Sequence, residues 1–251
     1  MLTSCEDVFV EQPWEVDVPD DLRDLNAAAI IELQNSLTDA NSSFSFAVVG
    51  DPHFYYDDLD DVLDHINGDG TTRFTLVAGD LSDQALTQEF TWYARIATTY
   101  DKPVVSLIGN HDHLANGRLI YERMFGPRDQ VFVAGGVRFV LFDNVELESE
   151  VPVDHDWLAA ALAAPFAGQT VVFMHIQPTD LQLQGQPGAV LNSIMESHRP
   201  AAVFMGHLHG YSHDTFSGGT PWTTAPWPRS REYLRVTVDP DTVVHERITV
   251  P

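Results

Sequence analysis

Eight side chains able to bind a cation or move a proton stand where apolar runs end: Asp51, His53, Asp80, Asn110, His111, His175, His207 and His209. They are carboxylates, imidazoles and one amide, with no thiolate among them. Mixed nitrogen and oxygen donors of this kind suit zinc, manganese, iron or nickel. Eight groups exceed what one tetrahedral ion needs, whereas two ions about 3.5 to 4 Å apart, bridged by a carboxylate, would use most of them. Any one pair is weak evidence, since Asp-x-His arises by chance in many chains.

The elements that must position these groups follow from hydropathy. Phe44 to Gly50, Phe74 to Ala78 and Val104 to Ile108 are short apolar runs, each broken at a glycine followed by a polar cluster. Runs of that length read as buried strands. Helical spacing separates them, over Asp57 to Ile66 and Gln84 to Tyr100, which is the pattern of a parallel sheet with its loops gathered at one edge. Thr170 to Met174 ends at His175, and Ala201 to Met205 ends at Gly206-His207-Leu208-His209. Further helices are expected over Asp21 to Leu37, Asn116 to Phe125, Asp156 to Ala164 and Gly188 to His198. A hairpin turning at Gly135-Gly136 is expected near residues 130 to 142. The tail beyond Tyr211 reads as antiparallel strands, with runs at 211 to 216, 233 to 238 and 242 to 250. In open α/β sheets, ligands bind at the carboxyl edge of the strands, where all eight groups fall.

Composition narrows the function classes. The chain has 251 residues and a net charge of -24, from 37 acids against 13 bases. A surface of that sign repels polyanions, so an extended nucleic acid is not an expected partner, whereas a cation-bearing site would still attract a small phosphate ester. No stretch approaches the roughly 18 apolar residues of a membrane span. Cys5 is the one cysteine, which leaves no intrachain disulfide and no cysteine-built zinc site. Leu2-Thr3-Ser4-Cys5 is similar to a bacterial lipobox, in which case a lipidated Cys5 would tether the protein at the cell envelope. Otherwise it is a free thiol and a cytoplasmic location is expected. Residues 1–43 read as an acidic arm and a helix, and residues 44–251 as the functional domain.

Taken in order, Asp51-x-His53, Gly79-Asp80, Gly109-Asn110-His111-Asp112, His175 and Gly206-His207-x-His209 resemble the calcineurin-like metallophosphoesterase superfamily. The resemblance runs from Asp51 to His209 and includes all five motif blocks. It implies a four-layer αββα sandwich with two mixed β-sheets. It also implies two divalent transition-metal ions (Mn, Fe, Zn or Ni). Asp51, His53 and His209 would hold the first ion, Asn110, His175 and His207 the second, and Asp80 would bridge them. The implied activity is hydrolysis of a small phosphate mono- or diester by a metal-bridging hydroxide. His111 would donate a proton or stabilise the transition state, with Asp112 orienting its ring. A metal-binding scaffold of the same fold is the alternative.

Gly79-Asp80-Leu81-Ser82-Asp83 with Gly109-Asn110-His111-Asp112 also resembles the branch that includes the class III cyclic nucleotide phosphodiesterases. The chain departs from that branch after His175, where Ile176 and Gln177 stand and only Pro178 remains of a proline pair. His113 is read as an exposed loop histidine. Tyr55 and Tyr56 are read as substrate contacts or loop packing, and Trp222 and Trp227 as core aromatics or a substrate wall. His65, His155, His198, His213 and His245 lie outside the motif blocks.

Overall fold

The computed structural model describes residues 12–40 and 42–251. The lipobox expectation at Cys5 lies outside the described residues. Two sheets form the middle of the molecule. The first combines β1 (Phe44–Val49), β2 (Thr72–Val77), β3 (Val104–Ser106), β10 (Glu232–Asp239) and β11 (Thr242–Thr249) in the order β11-β10-β1-β2-β3. The second combines β4 (Gln130–Ala134), β5 (Val137–Leu141), β6 (Thr170–Phe173), β7 (Ala202–Met205), β8 (Ser212–Thr215) and β9 (Pro221–Thr224) in the order β4-β5-β6-β7-β9-β8. Strands β1, β2 and β3 run parallel, as do β5, β6, β7 and β9.

Alternation along each strand explains why the sheets face each other. In β1, Phe46 and Val48 point between the sheets, while Ala47 and Val49 point outward to helices. The inter-sheet layer is rich in phenylalanine: Phe46 stacks on Phe74 at 5.0 Å between centroids and meets Phe139 edge-on at 5.7 Å. Phe173 and Phe204 extend the layer from the second sheet. Each such ring removed from water contributes about 1.5 to 3 kcal/mol.

The outer faces are covered by helices. On the first sheet, α2 (Tyr56–Gly68), α3 (Thr87–Ala97) and α4 (Gly117–Met124) bury Leu59, Phe90, Ile120 and their neighbours. On the second, α5 (His155–Ala163) and α6 (Gln186–His198) bury Leu158, Leu191 and Met195 against Val172 and Val203. The architecture is therefore a helix–sheet–sheet–helix sandwich.

The N-terminal helix is shorter than its periodicity predicts. A 3-10 turn at Asp20–Leu22 is followed by Asp24 at φ 55°, and α1 proper spans Leu25–Ser36. Its Asn26 exchanges two hydrogen bonds with the backbone of Ser106, both 2.8 Å, as a neighbouring strand would. That interaction satisfies the edge of β3. Strand β9 is too short for its hydropathy to predict, and its four residues begin with proline. It also runs parallel to β7, whereas the tail was expected to be antiparallel.

Candidate metal centre

The loops after the parallel strands meet at one edge and carry the predicted groups. Asp51 and His53 follow β1, Asp80 follows β2, and Asn110 and His111 follow β3. From the second sheet, His175 follows β6, while His207 and His209 follow β7. All eight predicted residues are therefore brought to one place. Four of them, Asp51, Asp80, His207 and His209, have positive φ (35°, 53°, 71° and 55°). Non-glycine residues held there cost about 1 to 3 kcal/mol each, and such strain gathers at functional sites.

Two groups of ligand atoms share Asp80. His53, Asp80 and His209 form one and Asp80, His175 and His207 the other, with the atoms of each within 4.8 Å of one another. In the first, the Nε2 atoms of His53 and His209 face each other at 3.2 Å. In the second, His175 Nε2 lies 3.3 Å from an Asp80 carboxylate oxygen, and His175 Nε2 and His207 Nδ1 each lie 3.0 Å from Asn110 Oδ1. Asp51 is fully buried; its Oδ1 accepts the His207 backbone N–H at 2.7 Å, and its Oδ2 has no partner. An orphaned carboxylate oxygen among converging imidazole nitrogens fits a divalent cation.

Electrostatics point the same way. Burial pushes the Asp51 carboxyl up to about 7, with the nearby Asp80 charge adding to the shift. Burial also opposes ionisation of Asp80, but the His175 charge outweighs it and holds that carboxyl well below the usual range. For His175, burial favours the neutral ring, yet Asp80 and Asp51 push it up to about 10. Burial and the neighbouring His53 lower His209 to about 4, which leaves a neutral ring able to bind metal. Two buried carboxylates this close require a compensating positive charge.

The scaffold behind these side chains is equally specific. His175 donates from Nδ1 to Ala78 O at 2.7 Å, which presents Nε2 to the centre. Asn144 Oδ1 accepts the backbone N–H groups of His175 and Ile176, at 3.0 and 2.9 Å. A Cβ on Gly109 would lie 2.1 Å from the Asp80 backbone nitrogen, so only glycine lets those two loops touch.

Two sequence-based roles are corrected by the geometry. Asp112 does not orient His111. Its carboxylate is fully buried and accepts the N–H groups of Leu81, Ser82 and Gly109 and the Ser82 hydroxyl, all within 3.0 Å. It ties the loop after β2 to the loop after β3. The His111 ring instead donates from Nδ1 to Asp83 O at 2.8 Å, with an Asp83 carboxylate oxygen 3.5 Å away. His113 is buried rather than exposed, and its Nε2 lies 3.0 Å from Asp143 Oδ2.

Three further carboxylates reach the site. Besides Asp83, Asp180 Oδ2 lies 3.2 Å from His207 Nε2, and Glu148 Oε1 accepts from Asn110 Nδ2 at 3.3 Å. Asp83 closes the motif Gly79-Asp80-Leu81-Ser82-Asp83, whereas no local pattern marks Asp180 or Glu148. Of the aromatics, Trp222 is core at 4% exposure, while Trp227 stacks on the His209 ring at 4.6 Å and 10°. Tyr56 donates to Leu81 O, and the Tyr55 ring meets Trp227 edge-on at 4.9 Å.

This fold and donor set define a metallophosphoesterase architecture. The family model for calcineurin-like phosphoesterases matches residues 44–211, and the chain belongs to that family. Among solved structures it is similar to a dimetal phosphatase from Danio rerio, with TM-score 0.63, 17% identity and coverage of 82% of this chain and 98% of that one. It is also similar to a purple acid phosphatase from yellow lupin seeds, with TM-score 0.68, 11% identity and coverage of 84% and 52%. A third likeness is to GAP50, the anchor in the inner membrane complex of Plasmodium, with TM-score 0.64, 11% identity and coverage of 83% and 85%. At these identities the likeness is one of fold. No curated protein gives a significant sequence match.

Proposed function

We propose that the protein hydrolyses small phosphate mono- or diesters at a centre of two divalent ions. The observation that carries this reading is the position of Asp80, which belongs to both groups of converging ligand atoms. Asp51, His53 and His209 would complete one ion's ligands, and Asn110, His175 and His207 the other's. When bound, the ions supply positive charge to the phosphoryl oxygens and make a water nucleophilic near neutral pH.

The chain's own residues do the rest. His111 has Nδ1 committed to the Asp83 carbonyl, so Nε2 is the atom left to give a proton to the leaving oxygen. Burial disfavours its charged form, but Asp80, the Asp83 carbonyl and the acids around it raise its pKa, which keeps the proton available. Asn144 and the Ala78 carbonyl hold His175 in place, and Glu148 turns the Asn110 oxygen inward. A net charge of -24 supports a small ester over a polynucleotide.

The test is turnover of p-nitrophenyl phosphate and bis(p-nitrophenyl) phosphate by protein loaded with manganese or zinc. Hydrolysis of at least one is expected. A protein that binds two ions and cleaves neither would instead be a scaffold of this fold.

A further inference from the structure

The mouth of the centre has a cation that no acid among the described residues pairs with. Arg229 is exposed, lies in the 3-10 turn Pro228–Ser230 after β9, and has no carboxylate partner among the described residues. The arginines nearest to it in sequence are paired: Arg231, two residues on, meets Asp61 at 2.7 Å, and Arg235 meets both Asp69 and Glu246. In a chain with 37 acids and 13 bases, an unpaired guanidinium beside the site stands out.

Arg229 is also held in position. Its guanidinium lies 4.9 Å from the centre of the Tyr55 ring and 5.7 Å from that of Trp227, and it donates to the Tyr55 hydroxyl. Contacts of this kind fix a cation without neutralising it. The platform is continuous with the metal ligands, because Trp227 stacks on His209 and Tyr55 follows two residues after His53. Beside it Phe54 is 65% exposed, at φ 65°, with its ring 5.2 Å from that of His53. A bulky residue in that backbone region is an outlier, and here it displays an apolar face at the rim.

We infer that Phe54, Tyr55, Trp227 and Arg229 form a leaving-group subsite for a ring-bearing phosphate ester with a second anionic group, a carboxylate or phosphate, which Arg229 binds. The inference rests on the phosphoesterase reading for the scissile phosphate, but the subsite stands on its own geometry. A guanidinium offers a planar fork that matches either oxyanion, and Phe54 offers the apolar surface for the ring between the two charged ends.

The test measures binding to the manganese-loaded protein by calorimetry. The probes are phenylphosphonate, 3-carboxyphenylphosphonate and 1,3-benzenediphosphonate, none of which can be hydrolysed as an ester. The wild type is expected to prefer at least one of the two substituted probes over phenylphosphonate by about 10- to 100-fold, the range of a charge-assisted hydrogen bond. The preferred substituent identifies the native anionic group. Arg229→Ala should bring the ratio close to one, and Arg229→Lys should keep part of it. A wild-type ratio near one, or a ratio that Arg229→Ala leaves intact, overturns the subsite. Turnover of p-nitrophenyl phosphate and bis(p-nitrophenyl) phosphate, followed in parallel, separates the two ideas. A binding preference without turnover sinks the phosphoesterase reading alone, and turnover without a preference sinks the subsite alone.

Discussion

His111 is oriented by Asp83, three residues beyond the shared carboxylate Asp80: its Nδ1 donates to the Asp83 carbonyl at 2.8 Å, and the Asp83 carboxylate stands 3.5 Å away. The backbone bond fixes which nitrogen carries the proton, and the carboxylate favours the charged ring. Replacing His111 with alanine should lower kcat by about 10²- to 10⁴-fold, the usual contribution of a general acid, and leave metal content unchanged. Metal analysis beside steady-state kinetics checks this. Loss of both ions in His111→Ala would show that the ring is a ligand.

Asp112 is a structural residue despite standing beside His111 in the chain. Its two oxygens accept four hydrogen bonds from two loops. An asparagine keeps one acceptor and turns an amide toward donors, leaving buried N–H groups unpaired at about 1 to 3 kcal/mol each. Asp112→Asn should therefore lower Tm by several degrees, measured by calorimetry, in the metal-free as well as the metal-loaded protein. An unchanged Tm with reduced turnover would restore a catalytic role.

The chain was legible to different depths at different points. Asp51, Asp80, Asn110 and His207 could be found because each follows an apolar run that breaks at a glycine, and His175 because it ends such a run itself. A buried parallel strand leaves that trace in a one-dimensional sequence. The position of Asp112 beside His111 suggests a shared role, but consecutive residues of a 3-10 turn send their side chains in different directions. Adjacency in sequence says little about contact there. Glu148 and Asp180 reach the centre across 38 and 27 residues of chain, a closure that no local pattern encodes. Strand β9 leaves no such trace, because Pro221 opens it and only four residues follow the sheet.

Glu148 should affect one half of the centre more than the other. It accepts from the Asn110 amide, whose oxygen lies 3.0 Å from the nitrogens of His175 and His207. Partners behind a metal ligand are worth about 10- to 100-fold in affinity. Titration of Glu148→Ala with manganese should show one site weakened in that range and the other retained, with Glu148→Gln intermediate. Equal weakening of both sites would contradict this role.

Asp129 sets a pH dependence of stability away from the candidate metal centre. Burial pushes its carboxyl up to about 6; the Asp143 backbone N–H pulls against that, and the Asp143 charge adds to it. A carboxyl with a raised native pKa favours the fold when protonated. Its contribution is complete below about pH 4, the unfolded value, and is lost as pH rises through about 6. Asp129→Asn keeps an acceptor for the Asp143 N–H, which lies 2.9 Å from Asp129 Oδ1. The variant should gain about 2 kcal/mol relative to wild type at pH 7.5 and almost nothing at pH 4. Denaturant melts at the two pH values test the sign, and an equal effect at both would refute it.

The central claim is that Asp80 holds two ions at once, and metal stoichiometry tests it most directly. Mass-spectrometric metal analysis of manganese-loaded protein should give two ions per chain for the wild type. It should give one each for His53→Ala and His207→Ala, and none for Asp80→Ala with the fold intact by circular dichroism. A wild type that saturates at one ion, or an Asp80→Ala variant that keeps two, would contradict the account.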